Sequence, residues 1–420
     1  MPDVVILGGG IAGLSLASFL KCESMVLEKN EKVGGLARSH NFYGIDCDIG
    51  PHIIFSKNKK VLDLHTSMIE TNELKRSNKI LYKGRFVKYP FENGLGDLPK
   101  FDRDVCLNGF LENPYERYDP QNMLQFFLKT FGDGMTNSYL KPYNEKIWKF
   151  DTSCMDLQMV ERIPRPPNED IIASANGIET EGYKHQLYFH YPKKGGFQSL
   201  IDAYAKKADV LTNAKIDGLS FDGRWRVGSS RGTLFAKKLV STIPLPELFK
   251  LLPTVPFEVQ KALDGLLYNS IHVVLIQAKK DNMGENFALY VPDENVVFHR
   301  ISKLDFLGDA YKRQRSSTLM AEVTFRGAYE DNLGRVLTDL DDLGLVKRED
   351  VISAQVFTEK YAYPIYDLNH RQNADCVLEY LKSIGIECVG RFAQWEYLNT
   401  DGVVERTMNL AHELNEAAYA

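Results

Sequence analysis

The sequence predicts an α/β fold: a Rossmann-like dinucleotide-binding domain joined to a discontinuous second domain, made of a helical part and a second, mostly antiparallel sheet. Three observations carry this. Val4-Val5-Ile6-Leu7 is a short apolar run with β-branched residues, the signature of a buried parallel strand. Gly8-Gly9-Gly10-Ile11-Ala12-Gly13 follows without a gap, so Gly8, Gly10 and Gly13 fill the G-x-G-x-x-G positions. Past about Lys75 the pattern changes, first to hairpin alternation, then to helical spacing, then to further strands.

The elements follow in order. The glycines serve a tight turn, close backbone approach to a pyrophosphate, and close packing of helix on strand. Ile11 to Lys21 reads as a helix whose first turn, with Ile11 and Ala12, points free N–H groups at phosphate. Ser24 to Lys29 reads as the second strand. Its Glu28 lies twenty residues after Gly8, where a carboxylate accepts hydrogen bonds from an adenosine ribose, with Lys29 beside it.

A second glycine turn then selects the dinucleotide. Val33-Gly34-Gly35-Leu36-Ala37-Arg38-Ser39 comes soon after Glu28, and Asp48-Ile49-Gly50-Pro51-His52 follows it. NAD has no need of a second turn here. FAD does, because the longer cofactor extends across the sheet and needs close backbone approach along its length. Gly35, Leu36, Ala37, Gly50, Pro51 and His52 are therefore FAD-binding candidates.

Farther on, Lys75 to Pro90 alternates like a β-hairpin with Lys83-Gly84 as its turn. From about Leu98 to Ser174 the pattern is mainly helical, and Pro164, Pro166 and Pro167 end it. Gln198 to Lys206 reads as a helix. Asp209–Thr212 and Lys238–Thr242 read as strands returning to the first domain, and Leu266–Lys279 and Phe287–Ile301 as strands of a second sheet. Glu387–Arg391 is a strand entering a glycine turn, and Gly402 to Tyr419 has helical periodicity. The expected domains are thus 1–75, 190–245 and 370–420 for FAD, a largely helical region at 76–189, and the second sheet at 246–369.

Composition sets the outer bounds. The 420 residues suggest more than one domain; 44% are hydrophobic and 25% charged, as in a globular chain. A net charge of −5 gives no global basic field for nucleic acid. The cysteines Cys22, Cys47, Cys106, Cys154, Cys376 and Cys388 form no metal-ligand spacing, so no metal is expected. The first strand begins at Val4, and no apolar run reaches membrane-spanning length. The expectation is a cytoplasmic protein without a membrane span.

These residues resemble a known family, the UDP-galactopyranose mutases, nearer the eukaryotic type. More broadly they resemble the flavin monoamine oxidase and protoporphyrinogen oxidase superfamily. The resemblance runs from Val4 to about His412. GGGIAG, VGGLARS and Gly390-Arg391-Phe392 belong to the superfamily and imply FAD. The mutase-like segments are Gly50-Pro51-His52, Tyr89-Pro90-Phe91-Glu92-Asn93, Lys141-Pro142-Tyr143-Asn144-Glu145-Lys146-Ile147-Trp148, Glu161-Arg162-Ile163-Pro164, Tyr290-Val291-Pro292, Phe298-His299-Arg300, Tyr363-Pro364 and Trp395-Glu396-Tyr397.

The resemblance implies an isomerase that exchanges pyranose and furanose forms of a nucleotide sugar in polysaccharide biosynthesis, giving galactofuranose if the sugar is galactose. Reduced flavin N5 is then the nucleophile at the anomeric carbon, with NADPH or NADH as reductant. Arg162 and Arg300 are implied to clamp the diphosphate, which suits a bidentate, always-charged guanidinium. His52 is implied to act beside the flavin. Tyr89, Phe91, Glu92, Tyr143, Asn144, Trp148, Tyr290, Tyr363 and Tyr397 are implied to bind the nucleotide sugar, and Arg391 the FAD. Two residues depart from the family. Glu92 stands where Gln is usual, and a carboxylate that only accepts hydrogen bonds suits guanine better than uracil. Ala288 stands where the eukaryotic enzymes tend to carry Trp. The alternative class is a flavin-dependent amine oxidase or desaturase with the same FAD motifs.

Overall fold

A computed structural model describes residues 1–181 and 187–416, with the side chain of Arg162 outside that description. It divides into two units, Met1–Glu73 with His190–Leu267 and Asn369–Ala420, and Leu74–Phe189 with Tyr268–Leu368.

Unit 1 is built on a five-stranded sheet in the order Ile386–Cys388, Lys238–Ser241, Val4–Leu7, Ser24–Leu27, Val210–Leu211. Every pairing in it is parallel. Val4–Leu7 is central and buried at all four positions, as its unbroken apolar run requires. The next helix, Ile11–Phe19, is buried from Ile11 to Ala17, which explains its lack of a polar face. It packs in a core with Leu200, Ile201, Tyr204, Val403 and Val404. Its C-terminus is capped from a distant helix: Asn415 donates to the Phe19 carbonyl at 3.1 Å and accepts from the Lys21 N–H at 2.8 Å. A three-stranded antiparallel sheet, Ile216–Phe221, Trp225–Ser229 and Gly232–Ala236, completes the unit's larger sheets.

Unit 2 carries a seven-stranded mixed sheet. Its order is Val351–Ile365, Leu267–Ala278, Ser317–Phe325, Arg300–Lys303, Ala288–Tyr290, Asn78–Tyr82, Arg85–Lys88. The pairing of Ala288–Tyr290 with Asn78–Tyr82 is parallel, and its neighbours on either side are antiparallel. Asn78–Tyr82 and Arg85–Lys88 form the expected hairpin. Lys83 and Gly84 both take positive φ, 48° and 76°, the type I′ geometry that matches strand twist. The expected run Phe287–Ile301 resolves into two short strands, Ala288–Tyr290 and Arg300–Lys303, because Pro292 and the Asp293–Asn295 turn interrupt it.

The helical block contains Lys100–Leu111, Met123–Met135, Lys141–Trp148 and Asn168–Ala175. A π-helical segment, Thr136–Leu140, joins the second and third of these. The expected C-terminal helix spans Thr400–Glu416, and the rest of that expectation, to Tyr419, lies outside the described residues. Among the described residues no helix is long and apolar enough to cross a membrane.

Candidate functional site

In unit 1 three glycine turns, distant in sequence, meet at one helix N-terminus. Gly10 precedes the Ile11–Phe19 helix and no side chain caps it. Gly34 pairs with Gly10 in a parallel bridge, and its N–H reaches the Gly9 carbonyl at 2.8 Å. A Cβ on Gly35 would lie 3.3 Å from the Gly10 Cα, and one on Gly390 would lie 3.0 Å from the Ala12 Cβ. Gly13 is fixed by packing: a Cβ there would lie 2.0 Å from the Gly8 carbonyl oxygen. The first-turn N–H groups, with no side-chain cap, could receive a pyrophosphate in this cradle of glycines. The residues present therefore fit FAD.

Glu28 follows the second strand, buried. Its Oε2 accepts the Gly9 N–H at 2.8 Å, and its Oε1 accepts both the backbone and side-chain N–H of Asn30 at 2.9 Å. Three donors occupy a carboxylate with about four acceptor sites, which leaves capacity for a ribose hydroxyl. Lys29 is exposed, Leu36 half-buried and Ala37 buried. Gly50 takes φ 84°, and the His52 N–H closes on its carbonyl at 2.9 Å. Pro51 lies within that turn, and the His52 ring packs 5.3 Å from Phe197.

Asp48, two residues before the turn, anchors it. It accepts from Ser39 Oγ at 2.6 Å, the Phe197 N–H at 2.9 Å and Tyr191 OH at 2.8 Å. Burial pushes its carboxyl up to about 6 against the pull of those donors. Arg391 follows the Gly390 turn, donates Nε–H to the Leu398 carbonyl at 2.8 Å, and stacks over the Tyr397 ring at 5.0 Å. Tyr397 thus belongs to unit 1, whereas the other substrate-binding candidates belong to unit 2.

In unit 2 Tyr89, Phe91, Tyr143 and Tyr290 form one aromatic cluster with Tyr139. The π-helical segment, a geometry frequent at functional sites, is followed by a change of helix in which Tyr139 and Tyr143 stack at 5.2 Å and 9°. Phe91 stacks on the other side of Tyr139 at 4.7 Å and 11°. Tyr143 meets Tyr290 edge-on at 5.7 Å, and Tyr89 lies 4.8 Å from Tyr290. Tyr290 OH accepts from Asn78 Nδ2 at 3.0 Å. Phe91 is fully buried, with Tyr82 at its other side. Asn144 uses its amide within the helix, donating to the Leu140 carbonyl at 2.7 Å and accepting from Trp148 Nε1 at 3.0 Å. Trp148 in turn meets Tyr363 edge-on at 5.7 Å. Ala288 is buried, in register with Asn78 and Ser302.

Glu92 sits in the turn Phe91–Asn93, 1% exposed, with Oε2 accepting no hydrogen bond. Lys88 does not pair with it; its ammonium is bonded to the Thr180 carbonyl. Burial pushes the Glu92 carboxyl up to about 7.

Arg300 opens the strand Arg300–Lys303 opposite Tyr290, and is bonded twice to Glu322. Burial opposes its charge, but the Glu322 carboxylate, with smaller contributions from Tyr363 and Tyr290, holds its pKa well above the usual value. His299 beside it is buried with neither ring nitrogen hydrogen-bonded. Burial, reinforced by Arg300 and Lys146, keeps it neutral. Lys146 anchors the segment after Tyr290, donating to the Val291 and Asp293 carbonyls at 2.8 and 2.6 Å, and burial pulls its pKa down to about 7. Arg162 closes the 3-10 helix Leu157–Arg162, and its side chain lies outside the described residues.

Sequence reasoning passed over Tyr139, Asp48 and Glu322. A signal existed for the last: Glu322 is the lone charged residue in the nine-residue strand Ser317–Phe325.

Residues 11–319 match the family described as flavin containing amine oxidoreductase. Protoporphyrinogen oxidase of Bos taurus is 23% identical over 317 residues, 65% of this chain; the match spans 66% of that enzyme, just under two thirds of its length. A crystal structure of reduced UDP-galactopyranose mutase superposes with a TM-score of 0.92 at 24% identity, over 100% of this chain and 95% of that one. A putrescine oxidase redesigned in its cofactor binding gives a TM-score of 0.68 at 16% identity, over 98% of both chains.

Proposed function

From the premise that this chain belongs to the flavin-containing amine oxidoreductases, we propose that it is an FAD-dependent mutase of a nucleoside-diphosphate sugar, interconverting pyranose and furanose forms. UDP-galactose is the first substrate to try. The observation that carries this reading is Arg300, presented from a strand end beside Tyr290 and Tyr363. A guanidinium edge presents only N–H donors, which match the acceptor oxygens of a diphosphate and have no complement in an ammonium, itself only a donor, so it argues against an amine substrate. The fold likeness to a reduced mutase agrees with this reading.

The cradle at Gly8, Gly10, Gly13, Gly35 and Glu28 would hold FAD, with Gly50–His52 and Arg391 toward its other parts. FAD supplies a nucleophilic ring nitrogen when bound in its reduced form, NADPH or NADH being the reductants to test. The chain's own residues do the rest. Departure of the diphosphate from the sugar places new negative charge on phosphate oxygen. Arg300 and Arg162 would hold that charge, each worth on the order of 10²–10³ in rate if they act like oxyanion donors. Tyr363 and Tyr143 would add neutral donors, and Tyr89, Tyr290 and Trp148 would shape an aromatic wall around the ligand. Asn144, whose amide orients Trp148, would set that wall's geometry. In this reading Glu92 faces the base.

The second reading, an amine oxidase or desaturase, is favoured by the family match and the putrescine oxidase likeness. Turnover under dithionite separates the two. A mutase converts the sugar with reduced flavin and consumes no stoichiometric oxidant. Oxygen uptake with peroxide release on an amine, and no sugar conversion, would overturn the proposal.

A further inference from the structure

Glu322 lies on the strand Ser317–Phe325, directly across from Arg300 in antiparallel register. Its side chain is wholly buried, while 22% of the Arg300 side chain remains exposed. Arg300 donates Nε–H to Oε2 and Nη2–H to Oε1, the latter at 2.7 Å. Both carboxylate oxygens are thereby committed to one guanidinium. The adjacent strand residues Met320, Ala321 and Val323 are buried apolar side chains.

A buried ion pair of this kind is weak evidence for stability, because apolar residues of similar volume commonly serve as well. Its geometric consequence is definite. Two parallel N–H···O bonds fix the plane and the direction of a side chain that is otherwise long and mobile. A guanidinium has five N–H donors, and Glu322 takes two. The remaining three point away from the carboxylate. On the neighbouring strand Tyr290 is the register partner of Arg300. The ion pair has no net charge, so what Arg300 offers a ligand is a directed fork of donors and not an excess of positive charge.

We infer that Glu322 is a positioning residue, which locks the Arg300 guanidinium so that the outer edge of its fork meets the diphosphate of the bound nucleotide sugar. This rests on the diphosphate reading of Arg300 given above. Nucleotide recognition should then depend on the length and the oxygen pair of residue 322 and not on its charge alone.

The test compares wild type, Glu322→Asp, Glu322→Gln and Arg300→Lys. Dissociation constants are measured for UDP against uridine, and for GDP against guanosine, at fixed ionic strength, with thermal unfolding followed in parallel. The ratio of nucleoside to nucleoside-diphosphate constants reports phosphate recognition in the molecules that are folded. Glu322→Asp keeps the charge but shortens the reach; Glu322→Gln keeps the length but turns an NH₂ group toward guanidinium donors. Each should lower the ratio by about tenfold or more, the loss of one charge-assisted hydrogen bond, with nucleoside affinity unchanged.

A role through charge alone would give the opposite pattern, with Glu322→Gln tightening the diphosphates and Glu322→Asp neutral. A structural role alone would lower the unfolding temperature and leave the ratio unchanged. Either result overturns the inference. If Arg300→Lys collapses the ratio and neither Glu322 variant does, only the inference falls. If wild type does not prefer diphosphate to nucleoside, the diphosphate reading falls and takes the inference with it.

Discussion

The carboxylate of Glu28 accepts the backbone N–H of Gly9 at 2.8 Å, which ties the glycine turn to the end of the second strand. One side chain thus holds the cradle closed and offers its spare acceptor capacity to a ligand. Glu28→Ala should lose both, and hydrogen bonds to charged groups are worth about 1.5–3 kcal/mol each. FAD affinity should fall by roughly ten- to a hundredfold. Fluorescence titration of apoprotein with FAD checks this, and unchanged affinity would remove Glu28 from the FAD site.

Gly10 and Gly13 should fail in different ways. A Cβ at Gly10 meets no protein atom nearer than the Gly35 Cα at 3.9 Å, and Gly10 has an ordinary φ of −77°. Gly10→Val should therefore fold and lose flavin, because its side chain occupies the phosphate approach. A Cβ at Gly13 lies 2.0 Å from the Gly8 carbonyl oxygen, so Gly13→Ala should damage the fold itself. Circular dichroism and flavin content, measured on both, distinguish the two outcomes. A colourless wild type that takes up no FAD on reconstitution would refute the cofactor reading.

The cradle was legible in the sequence because its signals are local. Glycine spacing, a following helix and an acid at the next strand end all lie within Val4–Glu28. The unit 2 cluster was legible only as resemblance, since Tyr143 meets Tyr290, and Trp148 meets Tyr363, through strand and helix packing that no spacing reveals. Glu322 was missed for that reason: its partner, Arg300, is 22 residues away and is brought opposite by antiparallel pairing. The break in the helix Met123–Met135 at Gly132, φ 74°, likewise follows from packing. A Cβ at Gly132 would lie 2.0 Å from the Gly109 carbonyl oxygen, a close approach invisible to periodicity.

Arg300→Ala should report on more than catalysis. It leaves the Glu322 charge buried and unpaired, a defect worth about 3–5 kcal/mol. Loss of turnover in that variant alone is therefore ambiguous. The pair Arg300→Met with Glu322→Leu should recover most of the stability, because no charge is left buried, while turnover stays lost. Urea unfolding checks the first part, and turnover with reduced flavin the second. A double variant as unstable as the single one would show that the ion pair holds unit 2 together.

Glu92 makes the pH prediction. Its carboxyl, ordinarily near 4.5, is pushed up to about 7 by burial, with Oε2 unbonded and Lys88 committed to Thr180. The folded state therefore holds this proton more tightly than the unfolded chain. The associated stability is fully present below about pH 4.5 and is lost as pH rises through about 7, a loss on the order of 3 kcal/mol. Other buried groups also titrate: Asp48 is raised to about 6, while His65 and Lys146 are lowered to about 4 and 7 with the opposite sign. The difference between wild type and Glu92→Gln cancels those. Glu92→Gln should match wild type at pH 5 and exceed it in stability at pH 8. The protonated carboxyl offers one donor and one acceptor, as the Gln amide does, whereas the ionised form only accepts. If Glu92 also reads the base, the preference of wild type for UDP over GDP should fall between pH 6 and pH 8.5, and that of Glu92→Gln should stay flat. Titrating both nucleotides into both proteins at the two pH values decides it: parallel, pH-independent ratios would leave Glu92 a buried carboxyl with no part in base recognition.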